Sequence, residues 1–180
     1  ESFMWGNSRH RRKDFWTEEV AAEWTKTMEE ARKRLLSCYN CPMKCGASIS
    51  VPGLPTYMMK CFSKLTYTMA AMSNLDFGLK IAQRATEYGV DAFSAPQVMA
   101  FALELYENGI LTDENFPDMP SDNDGRFFWL LDRIVMREGI GDLLADGTYW
   151  AAKAIGNGAE AYAHNNIKKH EQMPLKLSML

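Results

Sequence analysis

Three thiols crowd into eight positions as Cys38-Tyr-Asn-Cys41-Pro-Met-Lys-Cys45-Gly, a C-x2-C-x3-C run followed by glycine. That spacing sets three soft donors on one tight turn facing a common concavity. A cube-shaped iron–sulfur cluster is held in this way, by neighbouring cysteines and a more remote one. Backbone N–H groups of such a turn can hydrogen-bond to cluster sulfide and tune its potential. The competing chemistry is structural zinc, with Cys61 completing a set of four thiolates. Cys61 stands alone between Lys60 and Phe62, whereas zinc sites are more often two paired knuckles. A disulfide framework is disfavoured by the odd local count and the lack of any secretion signal in the chain as given. The reading preferred is a 4Fe-4S cluster on Cys38, Cys41 and Cys45, with the fourth ligand elsewhere.

Composition agrees with an ordinary globular protein: 47% hydrophobic and 24% charged residues over 180 positions leave enough apolar surface for a real core. No apolar run approaches the ~18 residues that a membrane helix needs, and the expected compartment is cytoplasmic. A net charge of -3 argues against a nucleic-acid binder, and the cluster Arg9-His10-Arg11-Arg12-Lys13 is too short to reverse that. The opening Glu1-Ser2-Phe3-Met4-Trp5 and the closing Leu175-Lys-Leu-Ser-Met-Leu180 suggest a piece of a longer polypeptide.

The elements that must position the thiols read as mainly helical. Thr17 is the expected N-cap of a helix reaching Leu36, with Glu18 and Glu19 in its first turn and Val20, Trp24, Met28, Ala31 and Leu35 at helical spacing. Gly46, Pro52, Gly53 and Pro55 break the segment from Ser37 to Pro55. Further helices are expected from Thr66 to about Met72, from Leu79 to Tyr88 with Gly89 as its stop, and from Ala95 to Asn108. The last of these would open on a capping box, Ser94-Ala-Pro-Gln97. A polar stretch from Thr112 to Gly125 leads to a helix from Arg126 to Glu138, then a helix pair broken at Gly147. No convincing strand is expected before the last residues. The organisation expected is a lead-in helix (1–36), a cysteine-rich segment (37–64), a helical region (65–165) and the start of a further segment (166–180).

From Cys38 to about Gly156 the chain resembles the aldehyde:ferredoxin oxidoreductase family, tungsten enzymes with a bis-pterin cofactor beside a four-iron cluster. The matching stretches are Cys38 to Gly46, Glu87-Tyr-Gly89-Val-Asp91, Val98 to Thr112, and Arg137-Glu-Gly-Ile-Gly-Asp142 through Gly147. The resemblance implies the helical second and third domains of that fold. It assigns Cys38, Cys41 and Cys45 to the cluster, Gly89 and Asp91 to the pterin, and puts the fourth cluster cysteine beyond Leu180. Two departures stand out. The family's D-x-x-G-L-D motif reads Thr86-Glu-Tyr-Gly89-Val-Asp91, so its first carboxylate is missing. Where aldehyde-oxidising members carry a glutamate near the metal, this chain places Cys61.

A carboxylate there can accept a proton during aldehyde oxidation, whereas a thiolate is a good direct ligand for a soft, sulfur-bound metal. The chain is accordingly most similar to the branch with a cysteine on tungsten, the class II benzoyl-CoA reductase catalytic subunits. That implies reduction of an aromatic acyl-CoA, with an electron-transferring iron–sulfur subunit or ferredoxin as partner. Aldehyde oxidation with ferredoxin as acceptor is the enzymatic alternative, and a zinc-stapled interaction domain the non-catalytic one. For Cys61 itself the plain alternative is a buried thiol. His10, His164 and His170 show no ligand spacing. Asp142 and Asp146, four apart, read as an exposed acidic face. Met58, Met59, Met69, Met72 and Phe62 read as core, with an apolar pocket as the alternative.

Overall fold

The computed structural model describes residues 17–60, 67, 70, 71, 73–164 and 166–171. Helix α1 (Glu18–Ala31) starts as its sequence demands, with the Thr17 hydroxyl accepting from the Val20 N–H at 3.2 Å. It buries Trp24 and Ala31 and packs against α2 (Leu75–Tyr88).

The helix does not run on to Leu36. Residues Arg32–Leu36 form strand β1, which pairs antiparallel with β2 (Gly46–Ile49), itself paired antiparallel with β3 (Tyr57–Lys60). The expectation of no strand in this region is therefore corrected. The carbonyl of Ala31, which a longer helix would have offered to residue 35, accepts instead from the Ser50 N–H at 2.9 Å. Two features hid the sheet. β1 is an edge strand whose Arg32, Lys33 and Arg34 face solvent, a charge pattern that protects an exposed edge. β2 is the central strand and is almost wholly buried, so it shows no alternation of apolar and polar residues.

The remainder is mainly helical, as expected. Asn74 caps α2 by accepting from the Phe77 N–H at 2.9 Å, so this helix begins four residues before the expected Leu79. Helix α3 (Ser94–Glu107) is buried along nearly its whole first three turns, from Ala95 to Leu105, and forms the centre of the core. Around it lie α4 (Asn123–Met136), α5 (Ile140–Leu144), α6 (Thr148–Ile155) and a 3-10 turn at Ala159–Tyr162. Asp122 caps α4 by accepting from the Gly125 N–H at 2.7 Å, so this helix begins at Asn123, ahead of the expected Arg126. A continuous apolar core runs from Trp24 to Ala159, with Phe77 edge-on to both Phe127 and Phe128. A short hairpin, β4 (Asn166–Ile167) and β5 (His170–Glu171), returns to the helices, where the Glu171 carboxylate accepts from the Thr148 N–H at the start of α6.

Asp142 and Asp146 are exposed, as expected, and are also paired. Both carboxylates accept from the Arg137 guanidinium, at 2.8 and 2.7 Å, and these bonds keep that guanidinium charged. Arg137 caps α4 in the left-handed region, so one side chain ties the end of α4 to α5 and to the turn that follows it. Met59 is core and Met58 half exposed. His164 and His170 lie at the surface. Of the remaining expectations, His10, Phe62, Met69, Met72 and the closing alternation from Leu175 lie outside the described residues, as does the early part of the helix expected from Thr66. Tyr67, Ala70 and Ala71 are helical.

Candidate functional site

The cysteines sit where the new sheet turns. Leu36 pairs with Gly46, so residues 37–45 are the connection between β1 and β2. Within it the Cys41 N–H donates to the Cys38 carbonyl at 3.0 Å, a tight turn in which Asn40 has φ 55°. Lys44, one residue before Cys45, is a second left-handed residue with φ 44°. Cys38 and Cys45 are exposed and Cys41 is half-buried, and none of the three is in a disulfide. Tyr39 and Met43 between them are also exposed. Among the described residues no three His, Cys, Asp or Glu side chains are grouped as a metal site, so the structure does not bring Cys38, Cys41 and Cys45 to the common concavity expected of them.

Cys61 lies outside the described residues. Its chain neighbour Lys60, however, is the residue opposite Gly46 in the β2–β3 pair, and Gly46 follows Cys45 directly. The cysteine connection thus enters β2 at the same end of the sheet at which the chain leaves β3 towards Cys61. The sheet is tied to the helices by the Tyr57 hydroxyl of β3, which donates to the Leu79 carbonyl of α2 at 2.7 Å. Burial pushes that phenol well above the ordinary range.

Gly89 and Asp91 form the junction between α2 and α3. Gly89 ends α2 in the left-handed region (φ 71°), where its N–H reaches back to the Thr86 carbonyl at 3.1 Å. The capping box expected at Ser94 is not formed. Ser94 is the first helical residue, and the Asp91 carboxylate takes its place as Oδ2 accepts from the N–H groups of Phe93 and Ser94 at 3.0 and 2.6 Å. The Gln97 side-chain amide donates to the Phe93 carbonyl at 3.0 Å. The last turn of α2 is held by a network the sequence did not announce. The Arg84 guanidinium bonds both oxygens of Asp132 on α4, at 3.0 and 2.7 Å, and the Tyr88 hydroxyl donates to the same carboxylate at 2.9 Å. With Asp132 on another helix, only the packing of α2 on α4 brings these three groups together.

Tyr67 is the other unannounced residue. It is fully buried, its hydroxyl has no hydrogen-bond partner among the described residues, and it lies near enough to Asp91 to feel that charge. Burial, and then Asp91, push the phenol far upward, which keeps it protonated.

Residues 3–176 match the family model described as aldehyde ferredoxin oxidoreductase, domains 2 and 3. The chain belongs to the aldehyde ferredoxin oxidoreductase family. Among curated members, the tungsten-containing aldehyde ferredoxin oxidoreductase of Pyrococcus abyssi is 31% identical over 147 residues, covering 74% of this chain and 23% of its own length. The same enzyme of Thermococcus kodakarensis is 30% identical over 125 residues, 67% of this chain and 21% of its own. This chain therefore spans about a fifth of the curated members it matches. A solved structure is far nearer: the active-site complex BamBC of benzoyl coenzyme A reductase with 1,5-dienoyl-CoA. One of its chains is 75% identical, with a TM-score of 0.91 over 100% of this chain and 28% of its own. The mainly helical fold of domains 2 and 3 in this family is thus what the motifs from Cys38 to Gly147 foretold. No helix among the described residues is long and apolar enough to cross a membrane.

Proposed function

We propose that the chain is part of the catalytic subunit of a tungsten–pterin, iron–sulfur oxidoreductase that reduces the ring of an aromatic acyl-CoA. The observation that carries this reading is the 75% identity, over the whole chain, to the benzoyl coenzyme A reductase active-site complex. The aldehyde-oxidising members are matched at 30–32% identity, and Cys61 replaces the carboxylate that their chemistry would use.

The residues fit the groups that such an enzyme holds. Three thiols, none in a disulfide, share one surface connection and supply the soft donors of a 4Fe-4S cluster, and a further cysteine from elsewhere completes the set. For the pterin, Asp91 would offer a carboxylate fixed at a helix start. Cys61 is the proposed tungsten ligand.

The bound tungsten–pterin group supplies electron transfer at low potential. The chain's own residues do the rest. Cys38, Cys41 and Cys45 would hold the cluster at the end of the sheet from which the chain leaves β3 towards Cys61. The Tyr57 tether and the Arg84–Asp132–Tyr88 network lock that sheet and the Gly89–Asp91 junction to one helical core. The overall step adds a pair of electrons and a pair of protons to the ring. The electrons would come from an iron–sulfur partner subunit or a ferredoxin, and the protons ultimately from solvent.

The test uses the full-length protein, prepared anaerobically. It should contain iron and tungsten, show broad brown absorption, and convert benzoyl-CoA to a dienoyl-CoA with a strongly reducing dye as donor. Oxidation of aldehydes with aromatic acyl-CoA untouched would transfer the protein to the aldehyde-oxidising branch. A colourless zinc protein without iron would leave a stapled interaction domain.

A further inference from the structure

No acid stands anywhere between Glu30 and Asp76, although the chain has 23 Asp and Glu over 180 positions. The same stretch holds Arg32, Lys33, Arg34, Lys44, Lys60 and Lys64, and it holds all four cysteines. The sheet brings two of these lysine positions to one end. Lys60 is opposite Gly46 in the β2–β3 pair, and Lys44 stands two residues before Gly46, directly ahead of Cys45. Lys44 is exposed, and its backbone sets it apart from the other cations. Its φ is 44°, in the left-handed region that glycine enters freely and a residue with a Cβ adopts only with strain. Asn40, directly ahead of Cys41, has φ 55°, which asparagine tolerates and lysine does not. Left-handed residues help a backbone present N–H groups to an anion, iron–sulfur clusters included. Glycine would serve that backbone role better, so a long cation at the strained position points to a use for its charge.

We propose that Lys44 sets the reduction potential of the cluster on Cys38, Cys41 and Cys45, its positive charge favouring the reduced state. This rests on the reading of the chain as a cluster-holding subunit. A four-iron cube on four thiolates is an anion, and an electron taken up makes it more negative without breaking a bond. A cation one residue from a ligand therefore stabilises the reduced state more than the oxidised one. No carboxylate in the surrounding stretch offsets it. The electron comes from the iron–sulfur partner or ferredoxin, so this charge governs how readily that donor fills the cluster.

The experiment is an anaerobic potentiometric titration of the full-length protein, with the reduced cluster followed by its EPR signal and iron measured in every sample. Wild type is compared with Lys44→Arg, Lys44→Gln and Lys44→Gly. Lys44→Gln should keep its iron and have a more negative potential. Its ratio of reduced to oxidised cluster at a fixed potential should fall about tenfold, ~59 mV for a one-electron couple. Lys44→Gly should shift equally, although it also relieves the left-handed strain, and Lys44→Arg should stay with the wild type. An unmoved potential in Lys44→Gln overturns the proposal, as does an arginine variant that shifts with it. A glycine variant that differs from the glutamine one overturns it as well, because the backbone then sets the potential. Loss of iron from Lys44→Gln does the same, since the side chain then holds the connection together rather than tuning it. A wild-type protein without iron removes the functional reading and this inference together, whereas an iron-loaded wild type with an indifferent Lys44→Gln removes only the inference.

Discussion

Replacing Gly141 by alanine should be among the most damaging single-methyl changes in this chain. A Cβ built on Gly141 would lie 2.2 Å from the Arg133 carbonyl oxygen, 2.3 Å from its carbon and 2.7 Å from the Ile134 nitrogen. These are backbone atoms of α4, so no side chain can swing aside. Relief requires α5 to lift from α4 by roughly an ångström, a sub-van-der-Waals overlap of the kind that overpacked cores cannot absorb. The lift would strain the Arg137 bonds to Asp142 and Asp146 and disturb Ile140 and Leu144 in the core. Overpacking costs about 1–3 kcal/mol where side chains can yield, so a backbone clash should cost about 3 kcal/mol or more. Gly109→Ala is the control. Its φ is 71° with nothing within 4 Å of the added Cβ, so only left-handed strain applies, about 1–2 kcal/mol. Urea unfolding of the two cofactor-free, full-length variants, read as the change in midpoint at constant slope, separates the cases. Equal destabilisation by both substitutions would refute the close approach of α5 to α4 that this reasoning depends on.

Serine in place of Cys38, Cys41 or Cys45 should each strip most of the iron and the brown absorption from the full-length protein, measured by metal analysis and visible spectra; retention of both would release that residue from the cluster. Cys61→Ser should spare the iron yet lower benzoyl-CoA reduction about 100-fold or more, since a hard oxygen donor replaces a soft one on the metal. Normal turnover in that variant would return Cys61 to the core. The phenols of Tyr57 and Tyr67 are raised from the ordinary 10.0, chiefly by burial, so the native state keeps protons that the unfolded chain releases. Their contribution to stability is complete below pH ~10 and declines as pH rises above it, which urea midpoints between pH ~9 and ~11 should show. Double Tyr57→Phe/Tyr67→Phe substitution should flatten that decline.

Much of this protein is legible in its sequence because the signals are local. Three thiols within eight positions, the cap at Thr17, the stop at Gly89 and the apolar stripes of α3 and α4 all depend on residues within a turn or two of each other. The family followed from such stretches, since short motifs in a fixed order survive as text. The sheet did not. β1 carries charges because it is an edge and β2 carries none because it is central, and both facts belong to a partner strand rather than to the segment itself. The same holds at the site. Asp91 was found through its motif, but that it displaces the expected capping box at Ser94 depends on backbone direction at the α2–α3 junction. Arg84 meets Asp132 across 48 positions, and only the packing of α2 on α4 joins them. Residue type and short spacing set the chemistry available to the chain. Which donor faces which acceptor was decided by burial, because packing fixes the distances between groups that the sequence keeps far apart.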